Sequence, residues 1–314
     1  MRKTLEKGAF VEWLLSFFAI SIVIFAILIP KGVRFDISGW NQINNRESSN
    51  QDGSETRSYT SGTNSGGTRT LRIERGNSKY ENDPMSEYVV IENNGSNQVN
   101  ITGYRLENGK SARSYAIGSQ YLHYTSDVGM IPQGTKIVSP DGRSHLENII
   151  LKRGERAIII SGGPGNLTSY TLTSFKENSC TGYLDETYEF PRGLEKSCVR
   201  PAKEVGYSTL DTSCKRYVDQ LQTCHTPKYG GRNNDNEICR DCVDGEEGLS
   251  SMCIAYVKSH FSYEGCLANH IGDKDFEGKT WYVYLHRPWE MWANEDEKIS
   301  LFDPSGVLVD SVSY

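Results

Sequence analysis

Near its N-terminus the chain carries an apolar run, residues 13–29 (WLLSFFAISIVIFAILI), whose only polar side chains are Ser16 and Ser21. A helix rises about 1.5 Å per residue, so this run sits near the short limit for crossing a bilayer. Ala9, Phe10 and Val11 would lengthen it if Glu12 reached back to the interface. A buried helix of a soluble domain normally keeps a polar stripe, and this run has none. It is also longer than the apolar part of a cleaved signal peptide, and Ile29-Pro30-Lys31-Gly32 offers no small-residue cleavage site. The run therefore predicts a retained transmembrane signal anchor over 13–29, with 1–12 as a short cytoplasmic segment. Arg2, Lys3 and Lys7 precede it and Lys31, Arg34 and Arg46 follow it, which gives only a slight charge bias for the N-in orientation.

The cysteines supply the orientation. All eight (Cys180, Cys198, Cys214, Cys224, Cys239, Cys242, Cys253 and Cys266) fall within one stretch of the chain. An even number gathered in this way behind an anchor predicts a disulfide framework, and disulfides persist outside the reducing cytosol. The expectation is a single-pass plasma-membrane protein with its C-terminal body extracytoplasmic. Cys239-Arg240-Asp241-Cys242 is the one C-x-x-C, and His225, His260 and His270 lie near it in sequence. A metal-stabilised module is thus the alternative, although structural zinc usually draws on two such knuckles. No cofactor is predicted. The net charge of −6, with no basic block, excludes a general nucleic-acid binder.

Behind the anchor, residues 41–70 are almost devoid of aliphatic side chains and rich in Ser, Asn, Gly and Thr. Such a segment cannot offset its chain entropy and reads as a disordered linker. From Leu71 onward short β segments alternate with turn signals: LRIERG, SEYVVIENNG, VNITGYRLENG, ERAIIISGGPG, KTWYVYLHRP and a final EKISLFDPSGVLVDSVSY. Gly103 and Gly306 mark positions where a turn needs positive φ. Between about 177 and 278 the pattern becomes helical, in residues 210–224 and 249–270, with Asp211 or Thr212 and Ser250 or Ser251 as N-caps. If these two helices formed an antiparallel hairpin, Cys214 would face Cys266 and Cys224 would face Cys253. The domain reading is a β-sandwich from 71–176 and 279–314, interrupted by a cysteine-rich helical insertion at 177–278.

The β segments resemble the lamin-tail domain, an immunoglobulin-like sandwich. Residues 87–93 (EYVVIEN) are similar to its opening strand, 99–106 (VNITGYRL) to its next signature, 151–158 (LKRGERAI) to a turn and strand, and 299–314 to its closing hairpin. Tyr104 stands where the family has Trp, Val90 replaces an acidic residue, and the cysteine-rich segment has no counterpart. The resemblance implies a mainly β, immunoglobulin-like fold and a binding or scaffolding role, without the chromatin contacts of nuclear members.

No H-E-x-x-H, G-x-S-x-G or P-loop occurs, and SGGPG at 161–165 is followed by no helix pattern, so it reads as a turn. The chain is predicted not to be an enzyme. The densest aromatic stretch contains Trp281, Tyr282, Tyr284, Trp289 and Trp292. Trp281 and Tyr284 read as strand and core residues. Trp289 and Trp292, after Pro288, are the exposed candidates for contact with a protein or glycan partner. Adhesion or scaffolding at the cell surface is the leading expectation, and an accessory domain presenting an exported hydrolase is the alternative.

Overall fold

The computed structural model describes residues 70–109, 113–117, 120–124, 128–139, 144–164, 172–229, 243 and 249–314. The segments expected to be an anchor (13–29) and a linker (41–69), with Cys239 and Cys242, lie outside the described residues. Among the described residues no helix is long and apolar enough to cross a membrane.

The fold is mainly sheet. Its strands in chain order are β1 (Leu71–Glu74), β2 (Tyr88–Asn93), β3 (Val99–Asn100), β4 (Arg105–Glu107), β5 (Arg113–Ile117), β6 (Gln120–Tyr124) and β7 (Val128–Met130). Then follow β8 (Ile150–Leu151), β9 (Arg156–Ile160), β10 (Phe175–Asn178), β11 (Glu277–Tyr284), β12 (Lys298–Phe302) and β13 (Leu308–Ser313). Five form one sheet in the order β1-β2-β9-β11-β10, and four form another in the order β13-β12-β4-β7. β3 pairs with β8 and β5 with β6. Among the described strands every pairing is antiparallel except β9 with β11, where Ala157 sits opposite Trp281 and Ile159 opposite Val283. A parallel pair needs a long crossover, and the chain between β9 and β11 supplies one.

Side chains alternate across a strand, and the alternation divides the core in two. From β9 and β11, Ala157, Ile159, Trp281 and Val283 point to one face. There they meet Leu106 of β4 and Ile299 and Leu301 of β12, so the two large sheets enclose a common apolar layer. Ile158, Ile160, Tyr282 and Tyr284 point the other way, into a second cluster containing six cysteines. β9 is therefore buried on both faces, which explains why it reads as an unbroken apolar run rather than an alternating one. Trp281 is 1% exposed. A large aromatic buried to that degree withdraws roughly 150–250 Å², worth about 4–6 kcal/mol of transfer free energy.

The turn glycines behave as their positions require. Gly103 has φ 82° and Gly306 has φ 87°, and the latter closes the turn by donating its N–H to the Asp303 carbonyl. Sheet edges are managed locally. At the β1 edge the Ile73 N–H donates to the Asp310 carboxylate on β13, tying the rims of the two sheets. On β10 the buried Lys176 ammonium lies 3.1 Å from Glu155 and 3.2 Å from Glu277, and sits over the Trp281 ring. Its burial is tolerable because the charge is paired on both sides.

Among the described residues between β10 and β11 are three α-helices, α1 (Thr212–Gln220), α2 (Ser251–His260) and α3 (Tyr263–His270), besides short 3-10 turns. The Asp211 side chain accepts from Cys214 N–H and the Ser250 side chain from Cys253 N–H, so both helices start on true N-caps. The run predicted as one helix over 249–270 is two. Ser262 caps a new start by accepting from Gly265 N–H, and a side chain at Gly265 would press 2.8 Å from the Ser259 carbonyl oxygen.

Among the described residues three disulfides fasten this region: Cys180–Cys266, Cys198–Cys224 and Cys214–Cys253. They overturn the pairing expected from an antiparallel hairpin. Cys214 and Cys253 each lie in a first helical turn, and the Ser250 hydroxyl donates to Asp211, so the two helix starts meet side by side. Cys266 is consequently free to reach back to Cys180, directly after β10. With sequence separations of 86, 26 and 39 residues, chain entropy assigns each bridge about 3–5 kcal/mol. Gly182 leaves the room: an added side-chain carbon there would fall 2.4 Å from the Cys224 sulfur.

Candidate binding cleft

At one end of the five-stranded sheet, the exits of β9 and β11 and the approach to β2 are laced by backbone hydrogen bonds. Gly162 N–H donates to the Pro84 carbonyl at 2.6 Å, His286 N–H to Gly162 at 3.1 Å, and Arg287 N–H to Ser161 at 2.8 Å. Within SGGPG the described residues 161–164 bend without starting a helix, and Gly162 is needed because a side chain would meet the Pro84 oxygen at 2.7 Å. His286 adopts φ 54° to make its bend, a left-handed backbone that a non-glycine residue adopts at some cost.

Glu87 anchors the same junction. It is fully buried and its carboxylate accepts from the Ser161 hydroxyl, from Met291 N–H at 2.7 Å and from Trp292 N–H at 3.2 Å. Burial pushes its carboxyl up to about 7, against the three donors that favour the ionised form, and nearby Glu290 adds to the rise. Sequence reasoning assigned residue 87 to a strand signature and missed this role. Nothing in a lone acid before an apolar strand separates a solvated side chain from a buried anchor.

The aromatic candidates fall into different environments. Trp281 and Tyr284 are buried strand residues. Trp292 is fully buried in the layer between the large sheets, which corrects the expectation that it is exposed. The Glu87 carboxylate pulls the backbone at 291–292 inward and carries the indole with it. Trp289 stays partly exposed, with the Arg287 guanidinium 5.1 Å above its ring. Of the two predicted contact residues, the structure leaves only Trp289 at the surface.

Beside this junction lies a cavity of about 160 Å³ whose walls include Asp83, Ser86, Gly163, Leu172 and Tyr284. It shares Tyr188, Glu189 and Phe190 with a broader groove of about 380 Å³ running along 185–190. Glu189 is exposed, whereas Tyr188 and Phe190 are buried edge to face at 6.2 Å. Aromatic faces beside carboxylates and a hydroxyl suit a ligand with both apolar faces and polar groups.

The histidines named with the C-x-x-C are engaged elsewhere. His225 Nδ1 pairs with Glu186. His260 Nδ1 lies 2.8 Å from the Tyr256 carbonyl, and a carbonyl only accepts, so that nitrogen carries the proton and is no base for the adjacent Ser259 hydroxyl. His270 stands between Glu204 and Asp273. Among the described residues no group of three or more His, Cys, Asp or Glu is placed to hold a metal ion. Compared with models of protein families, with curated proteins and with solved structures, the chain matches none.

Proposed function

We propose that this chain is a membrane-anchored, extracytoplasmic binding protein. In this reading its body is a lamin-tail-like, immunoglobulin-like sandwich carrying a disulfide-rich helical insertion, and its partner is a protein or glycan at the cell surface. The observation that carries the reading is the cysteine chemistry. Three disulfides lie within a buried core packed on the main sheet, and such bonds belong to oxidising compartments. The apolar run at 13–29 supplies the anchor, and the 41–70 segment a tether of roughly 30 Å root-mean-square reach. Binding is assigned to the end of the sheet where the cleft and Trp289 lie, both built from chain turns held by the strand exits.

The test is the mass of the intact full chain, exported by its host and alkylated with and without prior reduction. Uptake of eight alkyl groups only after reduction is the expected result. Alkylation of the cysteines without reduction, with a metal ion co-eluting, would overturn the extracytoplasmic assignment and favour a metal-stabilised module.

A further inference from the structure

His270 is the last residue of α3 and is 5% exposed. Both of its ring nitrogens meet carboxylates: Nε2 lies 2.9 Å from Glu204 and Nδ1 2.8 Å from Asp273. A neutral imidazole has one N–H and one lone pair, so it can serve only one of two carboxylates. The other contact would set a lone pair against an anion. Only the imidazolium has a donor for each. Burial alone would disfavour that charge, but the two hydrogen bonds and the two negative charges outweigh it and raise the His270 pKa.

The two acceptors are not equivalent. The Glu204 side chain is 1% exposed, so bulk water does not reach it to replace His270. The Asp273 side chain is 50% exposed and can be hydrated if released. Glu204 ends the short 3-10 turn Pro201–Lys203, between Cys198 and Cys214. Asp273 lies in the connection from α3 to β11, where its carbonyl accepts from Phe276 N–H. Among the described residues, Tyr183 and Tyr256 feel the Glu204 charge, with Glu186 acting on the first and Tyr207 on the second. His260 stacks on Tyr256 at 4.1 Å. Lys203 and Lys274 are sequence neighbours, and among the described ion pairs neither contacts either carboxylate.

We propose that the His270 imidazolium is a pH-sensitive joint tying the 201–204 turn to the α3–β11 connection, and that loss of its proton opens the Asp273 contact while the Glu204 contact holds. The joint's contribution is complete below about pH 6.5, where the ring is charged folded or unfolded. It fades as pH rises through the higher value of the folded state. The inference needs neither the membrane topology nor a partner.

The test is a nitrogen-15 titration of the histidine rings in the full chain between pH 5 and 9. The His270 signal is the one missing from His270→Gln or, should that variant not fold, the one displaced in Asp273→Asn. The expected result is a ring doubly protonated at pH 6.5, which retains its proton on Nε2 at high pH. Asp273→Asn should lower the midpoint by about half a unit or more. A ring neutral at pH 6.5, a retained proton on Nδ1, or no histidine midpoint altered by Asp273→Asn would each overturn the proposal.

Discussion

The two faces of the five-stranded sheet are held by different means. On one face, Val89, Ile91, Ile159, Trp281 and Val283 meet a second sheet, with no cysteine among the described residues of the layer. On the other, Ile158, Ile160, Tyr282 and Tyr284 meet short helices and turns that contribute six bonded cysteines. Helices of 8–10 residues are marginal by themselves, so the second face depends on cross-links and caps where the first depends on strand pairing. Two buried titratable groups with raised pKa values also tie chain segments together, Glu87 beside the inter-sheet layer and His270 among the helices. Both are shifted upward, so both lose stabilising effect as pH rises. One sheet thus carries a layer joined to it by a second sheet and a layer closed by covalent cross-links.

The largest expected effect is a direct break of the first face. Trp281→Ala should cost about 3–5 kcal/mol, seen as a lower urea midpoint, because the cavity opens between two sheets that cannot close on it. Equal loss from Tyr263→Ala, on the other face, would blur the distinction only if the disulfides were still intact in that variant.

Glu87 gives an effect of roughly 3 kcal/mol with a defined pH window. Between about pH 4.5 and 7 the folded protein holds a proton on Glu87 that the unfolded chain has already lost. Stability therefore falls across that window as pH rises, by about 1.4 kcal/mol for each unit of separation. Glu87→Gln cannot titrate, so its stability relative to the parent should rise by roughly 3 kcal/mol between pH 4 and pH 8. Parallel profiles for the two proteins would show that Glu87 is hydrated rather than buried.

The smallest effect belongs to Trp289. Trp289→Ala should change stability by no more than about 0.5 kcal/mol, since the ring is partly exposed and packs beneath a surface arginine. Adhesion of the intact host cell should nevertheless weaken. Unchanged adhesion would remove Trp289 from the contact surface.

Much of the first face was legible in the sequence, because period-2 patterns and turn glycines act locally. Residues 88–93, the closing hairpin, and the positive φ of Gly103 and Gly306 all follow from short-range rules. So do the caps Asp211 and Ser250. The second face was less legible because its determinants are long-range. Cysteine spacing does not reveal that two helix starts meet, so Cys214 was paired with the wrong partner. Trp292 reads as a loop residue until a carboxylate 205 positions away draws its backbone inward. His270 looks like one more scattered histidine until the fold brings Glu204 to it.

The comparison is tested most directly by amide hydrogen exchange of the full chain before and after disulfide reduction at neutral pH. Reduction should raise exchange in α1, α2 and α3 by orders of magnitude while β2, β4, β9 and β12 keep their protection. Loss of protection in all of these elements together would contradict it, by showing that the sheet layer cannot stand without the cross-linked one.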